Sequence, residues 1–363
     1  MKSPFPYEHC AQKQDFFGRI EELNNINKIT DSSNNLLLHS KRRMGKTSLV
    51  KKFLSTQKNK IGIYVDIFDI TSPEDFAKIL LKEIASVQKG DVSTVVKKLP
   101  KLFKRLRFSL GVDSTTGEIN YLPSIKDLRF EELIEEIFDA LFSMAKDNEI
   151  ILVIDEFQQV ALFKDKKIDA LLRKYMMKDM PISYVFLGSK RHILFELFQY
   201  KSPLFEMATQ MELECIKKED YYSYIKDHLI ITKELIDEII DITDCETKLT
   251  QHICHIIHRD YKNKDIELEY INDALKEVLE SKNGSFSALF DTFTLNKKKA
   301  FKILTTNDGN YFRQELLTEY GITRQALMSS LKQLFSDEVL DKRDDKWFIP
   351  DRALELWGKM KFK

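Results

Sequence analysis

Two short runs of the sequence contain side chains that could hold phosphate groups and a metal ion. The first, HSKRRMGKTS at residues 39–48, places a Gly-Lys-Thr triplet directly after an apolar run. A phosphate-binding loop has glycine, four residues and then Gly-Lys-Ser/Thr, between a strand and a helix. In that pattern Gly45 lets backbone amides approach the phosphates, Lys46 bridges the β- and γ-phosphates, and Thr47 ligates Mg²⁺.

The first glycine of this pattern is replaced by Ser40. We expect a left-handed backbone at this turn, which costs a non-glycine residue about 1–2 kcal/mol. Charge-assisted phosphate contacts are worth about 1.5–3 kcal/mol each and would offset that cost. Taken alone, the motif is equally compatible with a chance Gly-Lys-Thr at a helix start. The predicted nucleotide contacts in this loop are Ser40, Lys41, Arg42, Arg43, Met44, Gly45, Lys46, Thr47 and Ser48.

The second run is EIILVIDEFQQV, residues 149–160, about 110 residues after the first. Five apolar residues predict a buried strand, and two acids follow at its C-terminal end, where ligands bind to parallel sheets. Asp155 is predicted to hold Mg²⁺ together with Thr47, and Glu156 to act as general base towards the attacking water. Solvated acids at a strand end are the ordinary alternative, but the order of the two motifs favours a nucleotide site. The chain has no Asn-Lys-x-Asp guanine motif, so ATP is favoured over GTP.

The elements that would position these residues alternate through the first 215 residues. Apolar runs at 36–39, 61–66, 150–154, 184–188 and 210–213 predict strands, and helical periodicity is present at 47–54, 73–86 and 130–145. This alternation predicts an α/β P-loop NTPase core, a parallel five-stranded sheet with helices on both faces. A β-hairpin with a Thr116-Gly117 turn is predicted as an insert near 105–122.

The sequence pattern changes after this core. Residues 216–290 contain helical patterns without strands, which predicts an α-helical lid. Residues 291–363 contain short helices, a turn at Gly321 and two strand-like pieces, the order of a winged-helix domain. The predicted domains are therefore 1–215, 216–290 and 291–363.

The predicted recognition helix, 323–335, has an apolar stripe, and its other positions could contact DNA or a protein partner. These positions are Arg324, Gln325, Ser329 and Lys332. The segment from residue 295 has a net charge of only about +4, so protein contact remains an alternative to DNA. A basic cluster at 97–107 is a candidate contact for nucleic acid or a partner, or a solvated helix face.

The composition of the chain narrows the classes of protein to which it can belong. Hydrophobic residues are 43% and charged residues 31%, as in chains that bury cores. The 57 basic and 57 acidic residues balance, so global charge does not indicate a nucleic-acid binder. The four cysteines are scattered, which predicts free thiols in a reducing cytoplasm. We find no signal peptide and no membrane-length apolar run, and predict a cytoplasmic protein.

Several boxes together resemble the archaeal-type ATPases of prokaryotes, in the STAND branch of AAA+-like P-loop enzymes. They are FFGRIEEL, KRRMGKTSL, IYVDIFDITSPEDF, VIDEFQQV and FLGSKRHILFELF, and the resemblance extends to WFIPDRALELW near the C-terminus. It implies an ATPase core, a helical lid and a winged helix. It also implies that Phe17, Gly18 and Arg19 lie near the base or the core–lid junction, and that Ser189 is a γ-phosphate sensor.

The chain departs from this family in three places. The family usually has glycine and proline where this loop has Ser40 and Lys41. An arginine expected after Ser-Pro-Leu-aromatic is absent, because Glu206-Met207 follow Phe205. The lid's Gly-x-Pro is replaced by Cys245-Glu246-Thr247. These three departures affect the expected efficiency of ATP hydrolysis more than the expected binding of ATP.

The sequence thus predicts a Mg²⁺-dependent ATP-binding protein, a slow ATPase acting as a conformational switch, with ATP and ADP as ligands. The alternative is a catalytically decayed, nucleotide-responsive adaptor for DNA or protein. A small-molecule kinase is disfavoured because no separate substrate motif is present. An oligomer, in which a neighbouring subunit supplies an arginine, is compatible with the sequence.

Overall fold

A parallel sheet forms the centre of the first half of the chain. The computed structural model describes residues 3–11, 15–87, 103, 107–112, 119–124, 129–307, 309–343 and 345–362. The strands are β1 (Leu36–His39), β2 (Lys60–Asp66), β3 (Arg107–Val112), β4 (Ile119–Ser124), β5 (Glu149–Asp155), β6 (Ile182–Gly188), β7 (Thr209–Glu212), β8 (Asp341–Arg343) and β9 (Lys346–Phe348). Five of them form one sheet in the order β2-β5-β6-β1-β7, with every pair parallel. The predicted fold class is confirmed.

Helices connect these strands and continue to the end of the chain. The helices around the sheet are α1 (Ile20–Asp31), α2 (Lys46–Thr56), α3 (Pro73–Ser86), α4 (Phe130–Ala145), α5 (Ile168–Met176) and α6 (Arg191–Phe198), and a 3₁₀ helix spans Phe157–Lys166. Those that follow are α7 (Lys218–Lys226), α8 (Lys233–Thr243), α9 (Thr247–Tyr261), α10 (Leu268–Asp291), α11 (Leu295–Thr306), α12 (Gln314–Glu319), α13 (Arg324–Ser336) and α14 (Arg352–Phe362). No helix among the described residues has the length and apolar composition needed to cross a membrane.

Local chemistry explains where the main elements begin. Ser72 caps α3, because its side chain accepts a hydrogen bond from the Asp75 amide at 3.1 Å. Pro73 follows at the first helical position, where its missing N–H costs nothing. The apolar run of β5 is completely buried, as expected for a central strand covered on both faces. Asp155 is the last residue of this buried strand.

The described chain divides into two compact units. The sheet unit consists of residues 19–41 and 46–214, and the helical unit of residues 1–18, 42–45 and 215–363. Residues 42–45 lie within the predicted phosphate loop and nevertheless belong to the helical unit. The finer division into three domains stays a prediction.

A disulfide bond joins Cys215 and Cys245 in the helical unit. The prediction of free thiols is therefore wrong for these two residues, and Cys10 and Cys254 are the free ones. The two α-carbons are 5.4 Å apart, although 30 residues separate them in sequence. Spacing alone gave no signal, because only the folding of α7 and α8 brings the two sulfurs together.

The last part of the helical unit has the order α11, α12, α13, the antiparallel pair β8–β9 and α14. Gly321 has φ 55° in the turn before α13, and Thr323 caps α13 through the Ala326 amide at 3.2 Å. The predicted apolar stripe is buried at Leu327 and Leu331. The insert contains the antiparallel pair β3–β4. The Thr116-Gly117 turn and the basic cluster, apart from Phe103 and the backbone of Arg107, lie outside the described residues.

Candidate functional site

Lys46 stands at the start of α2 with its ammonium group turned into the preceding loop. Its Nζ donates to Ser40 Oγ at 3.0 Å and to the Lys41 carbonyl at 3.1 Å. The side chain is buried, with 7% of its surface exposed. A buried cation held by neutral acceptors at a helix N-terminus is a site for an anion, since both the charge and the helix dipole attract one.

The backbone of this loop differs from the prediction at its first residue. Ser40 has no left-handed backbone; the positive φ values lie at Arg43 (65°) and Gly45 (89°). A Cβ built on Gly45 would meet no atom within 4 Å, so there is space for a side chain at this position. Glycine is favoured there because of its positive φ. The expected strain at Ser40 is therefore wrong. Its hydroxyl instead donates to the Lys41 carbonyl at 2.7 Å and accepts from Lys46.

Two hydroxyl groups donate hydrogen bonds to the same carboxylate oxygen of Asp155. Thr47 Oγ1 donates to Asp155 Oδ2 at 2.8 Å, and Tyr64 Oη donates to the same atom at 2.6 Å. Burial, followed by the charge of Asp155, raises the pKa of Tyr64 well above its ordinary value, so the phenol stays a donor. Sequence reasoning missed Tyr64. The sequence showed only that a tyrosine interrupts the apolar run of a predicted strand. Its partner Asp155 depends on which strand lies beside β2, and the sequence did not show that.

This pair of oxygen ligands fits a magnesium ion. Mg²⁺ keeps several waters and takes one or two protein oxygens in addition to substrate phosphates. Thr47 Oγ1 and Asp155 Oδ2 already lie 2.8 Å apart. Asp155 is 2% exposed, and the Glu156 amide donates to its other oxygen at 2.8 Å, which fixes the carboxylate plane.

Glu156 follows β5 in a left-handed conformation, with φ 58°. This backbone costs a residue other than glycine about 1–3 kcal/mol, and such strain concentrates at functional sites. Its carboxylate accepts a hydrogen bond from the Gln158 amide. Gln158 was also missed, and its only sequence signal was a polar residue two positions after Glu156.

The remaining predicted contacts lie in different elements. Ser189 directly follows β6, which pairs with both β5 and β1. In the helical unit, Phe17 stacks on Tyr224 with ring centroids 4.0 Å apart, and Gly18 has φ 63°. Arg19 belongs to the sheet unit, is 4% exposed and pairs with Glu22 at 2.7 Å. Their roles towards a nucleotide stay predictions, as do those of Lys41, which is exposed, and Ser48, which is half-buried.

Arg43 carries the loop's strongest ionic contacts within the helical unit. Its Nη1 lies 2.6 Å from Asp351 Oδ1 and 3.5 Å from Glu246 Oε1. Arg42 makes a more exposed pair with Glu338 at 3.0 Å. Two carboxylates share one guanidinium, and Asp351 has the closer contact.

Backbone contacts add to this cluster. The Arg43 carbonyl accepts from the Lys248 amide at 3.2 Å, and the Met44 carbonyl accepts from Thr247 Oγ1 at 3.4 Å. Both donors belong to the first turn of α9, and the Lys248 amide is one of the backbone donors that have no partner within a helix at this position. Residues 42–45 are thus held by the start of α9 and by the residue before α14.

Glu246 is the buried member of the cluster. Burial raises its pKa to about 7, more than the Arg43 cation lowers it, and Asp351 raises it further. Between about pH 4.5 and pH 7 the folded protein therefore keeps a proton on Glu246 that the unfolded chain has released. The free energy of unfolding that this proton contributes is complete below pH 4.5 and falls as the pH rises towards 7.

Replacing Glu246 with glutamine should remove this contribution. We expect the free energy of unfolding of the wild type to lose about 1–3 kcal/mol between pH 5 and pH 8 relative to Glu246→Gln. Denaturant unfolding at several pH values measures the difference. Glu238→Gln, an exposed glutamate of α8, is the matched control. Parallel pH profiles for wild type and Glu246→Gln would contradict the assignment.

The family described as "ATPase domain predominantly from Archaea" matches residues 16–249. This match covers more than half of the chain and contains the loop, Asp155, Glu156 and Ser189. The chain belongs to this family of ATPases. It is a P-loop ATP hydrolase, as the resemblance of its motifs implied. None of the curated proteins matches this archaeal-type ATPase.

Solved structures share the fold of this ATPase. The Walker-type ATPase PABY2304 of Pyrococcus abyssi is 19% identical with a TM-score of 0.65, over 98% of this chain and 99% of that one. The ORC1 protein of Aeropyrum pernix, solved in complex with DNA, is 13% identical with a TM-score of 0.51, over 95% and 93%. The ORC2 protein of Aeropyrum pernix, in ADPNP–ADP complexes, is 12% identical with a TM-score of 0.50, over 99% and 98%. At these identities the similarity concerns the fold alone.

Proposed function

We propose that this ATPase binds ATP with Mg²⁺, hydrolyses it slowly and acts as a conformational switch. The contact between Thr47 Oγ1 and Asp155 Oδ2 carries the proposal, because it brings together the two ligands that a phosphate-bound Mg²⁺ needs. Lys46 and the loop amides would hold the phosphates. The bound metal would neutralise charge on the β- and γ-phosphate oxygens.

Hydrolysis would depend on Glu156. Its carboxylate would accept a proton from the attacking water, and Lys46 would stabilise charge on the phosphate oxygens. Ser189, at the end of β6, would sense the γ-phosphate. The solved relative with ADPNP and ADP supports an adenine nucleotide as ligand.

We propose slow turnover because the arginine expected after the Ser-Pro-Leu-aromatic motif is missing. Glu206 and Met207 stand where related sequences have Gly-Arg. An arginine finger is worth several orders of magnitude in rate. A site that lacks one in its own chain holds ATP for long periods, which suits a switch.

The switch would operate through Arg43. Phosphates entering the loop offer Arg43 a competing anion, and a guanidinium binds phosphate and carboxylate in the same forked geometry. Its ion pairs with Asp351 and Glu246 would then weaken. The start of α9 and the residues before α14 would report the nucleotide state to the rest of the helical unit.

Hydrogen exchange tests this coupling. Saturating Mg²⁺ and ATP should change amide exchange severalfold at residues 247–250 and 351–355 of the wild type. Arg43→Met should lose that change. Arg259→Met is the control, since Arg259 pairs with Asp260 and Glu277, has no predicted role towards the nucleotide and should keep the response. An unchanged response in Arg43→Met, at ATP concentrations that saturate it, would contradict the switch.

We propose that α13 contacts the partner as the recognition helix of a winged helix. Arg324, Gln325, Ser329 and Lys332 are all exposed on it. Arg324 also lies over the Phe312 ring, with its guanidinium carbon 5.3 Å from the centroid. DNA is the first partner to test, because one protein of the same fold was solved with DNA.

The second candidate is a decayed, nucleotide-responsive adaptor. Ser40 favours this candidate, because Ser40 Oγ and the Lys41 carbonyl accept hydrogen bonds from the Lys46 ammonium group that would otherwise bind phosphate. Steady-state phosphate release with and without duplex DNA separates the two. Turnover that DNA stimulates supports the ATPase switch, and ATP binding without turnover in either case supports the adaptor.

A further inference from the structure

Gln158 is a buried polar side chain beside the catalytic strand that no predicted role includes. It lies in the 3₁₀ helix after β5 and is 1% exposed. Its Nε2 donates to Glu156 Oε2, and its Oε1 has no hydrogen-bond partner among the described residues. Proteins rarely bury an amide with one end unpaired, and such exceptions concentrate where function requires them.

The backbone of Glu156 leaves its side chain dependent on this contact. The residue is left-handed, and its amide donates to Asp155 Oδ1 at 2.8 Å, so the main chain is fixed. The carboxylate still has three rotatable bonds. Among the described residues, the Gln158 amide supplies the hydrogen bond that selects one rotamer.

The end of β6 encloses the other side of the Gln158 amide. A Cβ built on Gly188 would overlap Gln158 Oε1 and would come 2.6 Å from Leu194 Cδ1. Leu194 is completely buried, so neither side chain has free space to withdraw. The strand that leads to Ser189 therefore touches the residue that holds Glu156.

We propose that Gln158 is a positioning residue for ATP hydrolysis, which holds Glu156 Oε2 so that Oε1 faces the attacking water. This inference rests on the proposed role of Glu156. The water transfers a proton to Oε1 as its oxygen bonds to the γ-phosphorus, and the bond to the bridging oxygen breaks, with its electron pair leaving on ADP. Gly188 leaves the space in which the amide lies.

The first experiment compares two neighbouring glutamines. Gln158→Met keeps the length of the side chain and removes its donor. We expect kcat at saturating Mg²⁺ and ATP to fall about tenfold to a hundredfold, with the ATP dissociation constant within threefold and an unchanged unfolding temperature. Gln159→Met removes an amide that donates instead to the Phe68 carbonyl at 3.2 Å, and should keep kcat within twofold.

The second experiment tests the contact with β6. Gly188→Ala should lower kcat in the wild type, because the new methyl displaces the amide. In a Gln158→Ala background the shortened side chain leaves room into which Leu194 and the new methyl can shift, so adding Gly188→Ala should change kcat less than twofold. If Gln158→Met does not fold, Gln158→Leu also lacks the donor and should lower kcat as well.

Measuring Glu156→Gln alongside separates the two hypotheses. If Glu156→Gln abolishes turnover while Gln158→Met and Gln158→Leu keep or raise it, the positioning role is wrong and the base assignment stands. If Glu156→Gln keeps full turnover, the proposed function itself fails. A loss of kcat matched by an equal loss of ATP affinity or folding would also overturn the positioning role.

Discussion

Lys46→Ala will weaken ATP binding by at least about a hundredfold. The ammonium is the buried cation of the loop, and charge-assisted bonds to phosphate are worth about 1.5–3 kcal/mol each. Two such bonds correspond to two or more orders of magnitude in affinity. The substitution also frees Ser40 Oγ and the Lys41 carbonyl, which then point lone pairs towards the bound anion. Calorimetric titration with Mg²⁺ and ATP measures the loss.

The control for this experiment is another lysine close to the same helix. Lys58 is exposed and follows α2 after the helix has ended. Lys58→Ala should bind ATP as the wild type does. Circular dichroism of both variants shows whether the fold is retained. Equal ATP affinity in wild type and a folded Lys46→Ala would remove the loop as the nucleotide site.

Glu156→Gln will trap ATP. A positioned general base contributes about 10²–10⁴ in rate, and an amide cannot accept the proton. Glutamine keeps one oxygen that can accept from Gln158, so binding and local geometry should persist. We expect a fall of at least a hundredfold in single-turnover hydrolysis, with unhydrolysed ATP retained on the protein after gel filtration.

Glu149→Gln is the matched control for the base. Glu149 begins the same strand, is exposed and pairs with Lys60 at 3.2 Å, at the end opposite to Glu156. Its turnover should equal that of the wild type. Hydrolysis by Glu156→Gln within threefold of the wild type would show that another group activates the water.

The elements of the sheet unit could be predicted from sequence because their signals are local. The runs 73–86 and 130–145 match α3 and α4 at both ends, since Ser72 and Pro73 mark one start and an apolar stripe marks the length of each helix. Strands β1, β5 and β6 needed only short apolar runs. Asp155 and Glu156 were then assigned by their place after a central strand.

The details of the site could not be predicted, because they depend on contacts between distant segments. Tyr64 reaches Asp155 only because β2 pairs with β5. Arg43 meets Asp351 across more than 300 residues. The expectation of a left-handed Ser40 applied a glycine rule to a position where the side chain forms hydrogen bonds instead. No local rule indicates which of these alternatives a fold adopts.

The contacts of residues 42–45 also extend beyond the region that the family matches. The family match ends at residue 249, just after Glu246, Thr247 and Lys248, all of which contact the loop. Asp351, the closest partner of Arg43, lies outside the matched region. The matched segment thus contains most of the contacts of residues 42–45, while the closest ionic contact of Arg43 comes from Asp351 beyond it. A fragment that ends at residue 249 should therefore lose the ion pair between Arg43 and Asp351 and keep the partners of the loop at residues 246–248.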